Sequence, residues 1–363
     1  VHCDVLLTLL LVAQLGEPRP APAEPLPPLT ALVTRVEGRA TAEGPDGRLL
    51  ALEPGRVLPG DWRVSVPAGA TVALVCSSDR RAGIGAAPGG GSVEVVTAAA
   101  CAAGEPLLPA TYRALARGDR DLSLERSGEV RFRILMARTR GSEEDDPRIP
   151  VLLSPRETAV TEARPEIRWT AVADAEEYVV RLVGPDHWTA RLPAAEVPCE
   201  VEAHPPGAVE VCATAWPADT PGLEPASSYF LAVGARTGLA GPVRESEPRR
   251  LRFLSSDATG IHASLTALRE LGLPPHEEAF RTALLLADHG LRSAAAATVR
   301  RSLVESPSAG AFLLQGSLEL EVLLPRAALR SFEEAGRLAD DPILATEARE
   351  GVLAALRLLG ETP

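Results

Sequence analysis

The chain has 363 residues, 45% hydrophobic and 24% charged, with a formal net charge of −12. This balance excludes a wholly disordered or fibrous chain and leaves room for two or three compact units of roughly 100 to 200 residues each. All 37 basic residues are arginine, and 49 acids outnumber them; a nucleic-acid partner, which calls for excess positive charge to displace counterions, has the wrong sign here.

Val5 to Val12 is an unbroken apolar run followed by a Pro-rich tract. At about 1.5 Å per residue it is too short for a bilayer core of about 30 Å, so no integral membrane segment is expected. Residues 1–23 read instead as a secretory signal peptide and Pro-rich start, although the preceding Val1-His2-Cys3-Asp4 has no arginine. A buried helix is the alternative. Removal of that leader leaves Cys76, Cys101, Cys199 and Cys212, an even number that fits an oxidising compartment and allows three pairings. Cys199 and Cys212 lie symmetrically about Pro205-Pro206, so two strands folding back there would face them across a ladder, leaving Cys76 for Cys101. Four buried free thiols are the competing reading.

Residues 29–135 read as a β domain of short strands cut by Gly-Pro, Asp-Gly, Pro-Gly and Gly-Asp turns, with alternation in Trp62 to Val66 and Thr71 to Val75. Val36-Glu37-Gly38, Leu58-Pro59-Gly60-Asp61, Pro67-Ala68-Gly69-Ala70 and the strand Val72 to Val75 follow one another here. This series resembles the FecR-type periplasmic domain. The resemblance implies a β fold and, in regulatory members of that family, a sensing role. Residues 136–148 follow as a charged linker, in which Glu143-Glu144-Asp145-Asp146 lacks the alternating ligands and central Gly of a calcium loop and reads as a solvated charge run.

Residues 149–255 form a second β pattern. Ile167 and Trp169 alternate in one strand, Tyr178, Val180 and Leu182 in the next, and Tyr229, Leu231, Val233 and Ala235 in a third. Large rings at alternating strand positions are core residues far more often than the lining of a sugar or aromatic pocket. Tyr229 after the turn Leu223 to Ser228, with Trp169 early and Tyr178 opening the next strand, resembles a fibronectin type III sandwich. That resemblance implies a tyrosine corner, with the phenol bonded to backbone at the turn.

Residues 257–363 change to helical period, in Ala/Leu-rich stretches separated by Pro or Gly. Ala283 and Gly316, Gly290 and Leu323, and Ala295 and Ala328 stand 33 residues apart. With Pro307, Phe332 and Ala335, they resemble tetratricopeptide (TPR) units, except that Glu319 replaces an aromatic and Leu323 a glycine. The register of that family implies an apolar concave face of Phe280, Leu284, Leu313, Ser317 and Leu320, either a groove for a peptide or partner helix or a surface already covered by neighbouring elements.

The fold expected is therefore multidomain β plus α: two consecutive β domains, then a helical hairpin unit. Six histidines are scattered without ligand spacing, Pro88 to Ser92 lacks the Lys-Ser/Thr of a phosphate loop, and no serine has a nucleophile-elbow context, so no metal, cofactor or catalytic residue is expected. The reading is a non-catalytic, exported envelope scaffold holding a protein or peptide partner. A FecR-like sensor docking on a separate membrane protein is the first alternative, and a hydrolase of envelope polymers is the second.

Overall fold

The computed structural model describes the chain within residues 30–54, 56–76, 81–104, 143–225, 227–238, 241–254 and 260–361, and among these Gly and Pro turns break the first β unit into eight strands. The expected signal segment, residues 105–135 of the first β domain and linker positions 136–142 lie outside the described residues.

Strands β1 (Thr30–Glu37), β4 (Val57–Pro59), β6 (Thr71–Cys76) and β7 (Arg81–Gly85) form an antiparallel sheet ordered β4-β1-β6-β7. A second sheet, β3-β2-β5-β8, uses Leu49–Ala51, Thr41–Glu43, Arg63–Val66 and Val93–Val96. Alternation decides what lies between the sheets: Val64 and Val66 of β5 and Val72 and Leu74 of β6 are buried in one cluster with Val33 and Leu58. Fully burying each such side chain is worth about 1.5–3 kcal/mol. Gly38 turns the chain between β1 and β2 at φ 84°, and a Cβ there would come within 2.9 Å of Ala70 Cβ, so glycine at this position is a steric requirement. Helix α1 (Thr97–Ala102) closes the unit through a Cys76–Cys101 disulfide, with S–S 2.03 Å.

The second β unit is a two-layer sandwich. One layer is β14-β15-β11-β9 (Cys199–His204, Gly207–Thr214, Ile167–Thr170, Leu152–Ser154). The other runs β10-β18-β16-β12-β13 (Thr158–Val160, Arg249–Phe253, Ser228–Thr237, Ala175–Val183, Trp188–Pro193), with β17 (Val243–Glu245) also on β16 and β10 parallel to β18. Trp169 and Ile167 from one layer meet Tyr178, Val180, Leu182 and Leu231 from the other, and Trp169 sits edge-on to Tyr178 with ring centroids 5.2 Å apart. The Tyr229 phenol accepts the Glu224 backbone N–H at 2.9 Å, and that of Tyr178 accepts Val172 N–H at 3.0 Å, so neither buried hydroxyl is unpaired. Cys199 faces Cys212 in the β14–β15 ladder and is bonded to it, the hairpin turning at Pro205-Pro206.

Among the described residues six helices follow: α2 (Ile261–Glu270), α3 (Pro275–Asp288), α4 (Arg292–Glu305), α5 (Ala309–Glu321), α6 (Pro325–Leu338) and α7 (Pro342–Leu359). Consecutive helices pack as hairpins, a repeat-like bundle behind the β sheets. Gly316 and Gly351 let their helices close on the Phe332 ring, where a Cβ at either would come within 2.7 Å of ring carbons. Pro275, Pro325 and Pro342 each open a helix, where the missing N–H costs nothing.

One expectation, the solvated acidic run, needs correction, and one open alternative is decided. Of the two readings of the apolar face, the covered one matches the structure: Leu284, Leu313, Ser317 and Leu320 are buried, and Phe280 is half-buried against the same core. The reason is position, because α5 is the central helix, buried on every side from Ala309 to Leu320. Its surroundings include α4, α6 and α7, and the tip of the β14–β15 hairpin, where Gln315 Nε2 donates to Pro205 O at 3.0 Å. The acidic run is not wholly solvated: Asp145 is exposed, but Glu143 is buried and Glu144 is engaged by a helix N-terminus. Glu143–Asp145 is a 3₁₀ turn wedged between sandwich and helices, with Glu143 ion-paired to Arg156 and Arg249. Arg249 is far from it in sequence and Arg156 stands outside any helical or strand spacing, so spacing could not reveal the pairs.

Candidate functional site

The helical unit is seated on both β units by polar contacts. Against the first, Thr34 Oγ1 donates to Asp288 Oδ2 at 3.0 Å, Arg35 Nη2 to Asp288 O at 2.5 Å, and His289 Nε2 meets Thr34 O at 3.2 Å. Leu32 and Val75 from that unit enter the helical core. Against the sandwich, Ala159 N–H donates to Gly290 O at 2.9 Å, and Ser293 N–H at the start of α4 finds Thr158 Oγ1 at 3.2 Å.

The most elaborate contact surrounds the α5–α6 turn. A helix end leaves carbonyls at its C-terminus and N–H groups at its N-terminus without intrahelical partners. The wholly buried Arg156 supplies donors to the first set, Nε to Val322 O at 2.5 Å and Nη2 to Leu323 O at 2.7 Å, while Nη1 reaches Leu152 O at 3.2 Å and pairs with Glu143. Glu144 supplies acceptors to the second, taking Arg326 N–H at 2.8 Å and Ala327 N–H at 3.1 Å. Cation at the C-terminal end and carboxylate at the N-terminal end both complement the helix dipoles. Leu323 takes φ 61° in this turn, a left-handed conformation that few residues other than Gly adopt.

Above this clamp lies a cleft of about 310 Å³ between the sandwich and helices α4 to α6. Val151, Leu153 and Val209 form apolar wall on the sandwich side, with His204 beside the hairpin tip; Ala296 and Arg300 come from α4, Glu319 from α5, and Arg326 and Arg330 from α6. His204 closes β14, the same strand that Cys199 opens, so the disulfide ties down the hairpin that carries it, about 17 Å away at about 3.3 Å per residue.

The ionisable groups here are strongly conditioned by burial. Glu319 is pushed up to about 7 by burial, opposed by hydrogen bonds from Ser331 Oγ at 2.7 Å and Gln315 Nε2 at 2.8 Å and by the Arg300 charge. His204 is held down to about 4 by burial and the arginine charges of Arg300, Arg168 and Arg330, so it is neutral at pH 7. Glu143 lies below the usual carboxylate range because Arg156 and Arg249 outweigh its burial. Its remaining oxygen accepts Glu247 N–H at 3.1 Å.

The acids on this wall are therefore spoken for: Glu143 by two arginines, Glu144 by the α6 N-terminus, Asp146 by Arg148 and Glu319 by Ser331 and Gln315. Arg326 is paired with Asp145 and Glu361. Arg300 and Arg330 make neither a hydrogen bond nor an ion pair within 4 Å among the described residues; Glu319 reaches Arg300 only through its longer-range field. Gln315 Oε1 is buried without a donor.

None of the residues singled out in the sequence for partner binding lines this cleft. Trp169 and Tyr178 are sandwich core, so the alternative of an aromatic pocket is set aside. Arg156, Arg300, Arg330 and His204 carried no local signal. Glu319 did carry one, as the acid at a position where the resemblance to TPR units leads one to expect an aromatic. Among the described residues no group of three His, Cys, Asp or Glu side chains could hold a metal, and no helix is long and apolar enough to cross a membrane. No protein-family model matches this chain and no curated protein matches it.

Proposed function

We propose that this protein is a non-catalytic binding protein of an exported, oxidising compartment, which holds a peptide or protein partner in the cleft between its sandwich and its helical unit. The observation that carries this reading is the presence of two uncommitted arginines in an apolar-walled cleft whose carboxylates are all engaged elsewhere. Engaged acids and a neutral, half-buried histidine suit binding better than proton transfer. Rigid elements from two units build the walls, which favours a preformed site.

The finer domain reading belongs to the same proposal. A fibronectin type III-like sandwich is supported by its two-layer strand order and by the Tyr229 to Glu224 hydrogen bond at the turn. TPR-like hairpins are supported by Gly316 packed on Phe332 and by Leu323 adopting the left-handed conformation of the glycine it replaces. The FecR-like reading of the first unit rests on the Gly38 turn and the strand Thr71–Cys76. Two disulfides support a location outside the reducing cytosol.

The test of binding is a photo-reactive residue placed at Val209 on the cleft wall and, as control, at the exposed Val201. In the native cell, a discrete adduct from position 209 and none from 201 is expected; equal labelling overturns the reading. For location, fractionation with intact mass after alkylation is expected to find the protein outside the cytosol with Cys76, Cys101, Cys199 and Cys212 unmodified. A cytosolic product with four alkylated thiols overturns export.

A further inference from the structure

Resting on that reading, we propose that the cleft captures the free C-terminal carboxylate of a peptide ending in an apolar residue, with Arg300 and Arg330 binding the carboxylate and the Val151, Leu153, Val209 and Ala296 wall receiving the terminal side chain.

Charge comes first. In a chain of net charge −12, two guanidiniums in one cleft without a hydrogen-bonded acid draw an anion, because each planar fork offers paired donors to two oxygens. Arg300 reaches the cleft from α4 and is half-buried, while Arg330 on α6 is exposed and stands at the mouth. Desolvation around Arg300 strengthens any charge-assisted bond it forms.

The surrounding acids set the charge of the ligand. Glu143, Glu144 and Asp146 line the same cleft, and Glu143 and Asp146 are held below the usual carboxylate range by their own arginine contacts, so a phosphate dianion meets about twice the repulsion that a carboxylate monoanion does. Shape sets the rest. A volume of about 310 Å³ is at the small end of ligand pockets. It accommodates a terminal residue rather than an extended helix. An internal Asp or Glu presents its carboxylate at the tip of a side chain with nothing apolar beyond it, whereas a C-terminal residue carries carboxylate and apolar side chain on one carbon, matching arginines beside an apolar wall.

The experiment titrates the full chain with acetyl-Ala-Ala-Leu as the free acid, the same peptide as its C-terminal amide, acetate and inorganic phosphate, by calorimetry at pH 7 and low salt. The free acid is expected to bind at least tenfold more tightly than the amide, acetate or phosphate. Arg330→Gln, at an exposed position with no partner to lose, is expected to weaken acid binding about tenfold with an unchanged circular dichroism spectrum, and Arg300→Gln by at least as much. Equal binding of acid and amide, tighter binding of phosphate, absence of any binding, or an Arg330→Gln variant that binds as the parent does each overturns the proposal. Loss of the Val209 adduct together with failure of the peptide would defeat the binding reading as a whole; a persistent adduct would defeat only this assignment of the ligand.

Discussion

The interior of the sandwich and the junction beneath the helices are held by opposite means. Inside the sandwich, Trp169, Tyr178, Leu182 and Leu231 interlock with the few polar atoms mostly satisfied by nearby backbone. At the junction a fully buried guanidinium pairs with a buried carboxylate, and it and Glu144 satisfy two helix ends more than 150 residues away in sequence. Apolar packing tolerates many arrangements of similar volume, whereas charges removed from water tolerate only those in which every donor meets an acceptor. The comparison teaches that the first region supplies stability and the second fixes how the units sit together.

Substitutions can break this contrast. Trp169→Ala is expected to have the largest effect, about 4 kcal/mol of lost stability in urea unfolding, from lost burial and the cavity left between the layers. Arg156→Ala is expected to cost about 3 kcal/mol by stranding Glu143 and the Val322 and Leu323 carbonyls. The pair separates in its second step: Arg156→Met with Glu143→Leu should recover part of that loss, whereas no neighbouring apolar substitution should rescue Trp169→Ala. Recovery in neither case would mean that the junction is held by packing as the sandwich is.

Acidity sharpens the comparison at the cleft. Glu319, at about 7 in the folded chain against 4.5 ordinarily, retains a proton that the unfolded chain has released, so its contribution to stability falls as pH rises from about 4.5 to about 7. His204 works the other way. Held at about 4 against 6.5, it stays neutral while the unfolded imidazole takes up a proton, so stability falls as pH drops from about 6.5 to about 4. Arg300 faces both groups, Arg168 and Arg330 face His204, and Glu144 adds its field at Glu319. Glu319→Gln is expected to raise stability at pH 8 by about 1–3 kcal/mol and to leave a steeper rise between pH 5 and 6.5, read from midpoints across a pH series. An unchanged profile would show that Glu319 is ionised in the folded chain.

The smallest effect belongs to the sandwich. Tyr229→Phe keeps the ring and deletes only the oxygen that accepts Glu224 N–H, so about 1 kcal/mol is expected, with the midpoint lowered and the denaturant slope unchanged. A loss as large as that of Arg156→Ala would place the turn among the features that decide the arrangement of the sheets.

What the amino-acid order settled by itself is everything governed by neighbours a few residues apart. Alternation at Trp169, Tyr178 and Tyr229 assigned the buried faces, the turn at Pro205-Pro206 put Cys199 opposite Cys212, and glycines and prolines marked where helices begin and pack. These follow from the two-residue period of a strand, the 3.6-residue period of a helix and the φ angles a turn demands. The tertiary structure alone decided the rest: that the Phe280 to Leu320 face is filled rather than open, that Glu143 and Glu144 are engaged at a helix turn, and that Arg300 and Arg330 share a cleft with His204. Charge and burial act through space and carry no period along the chain, so their partners become visible only when the units have come together.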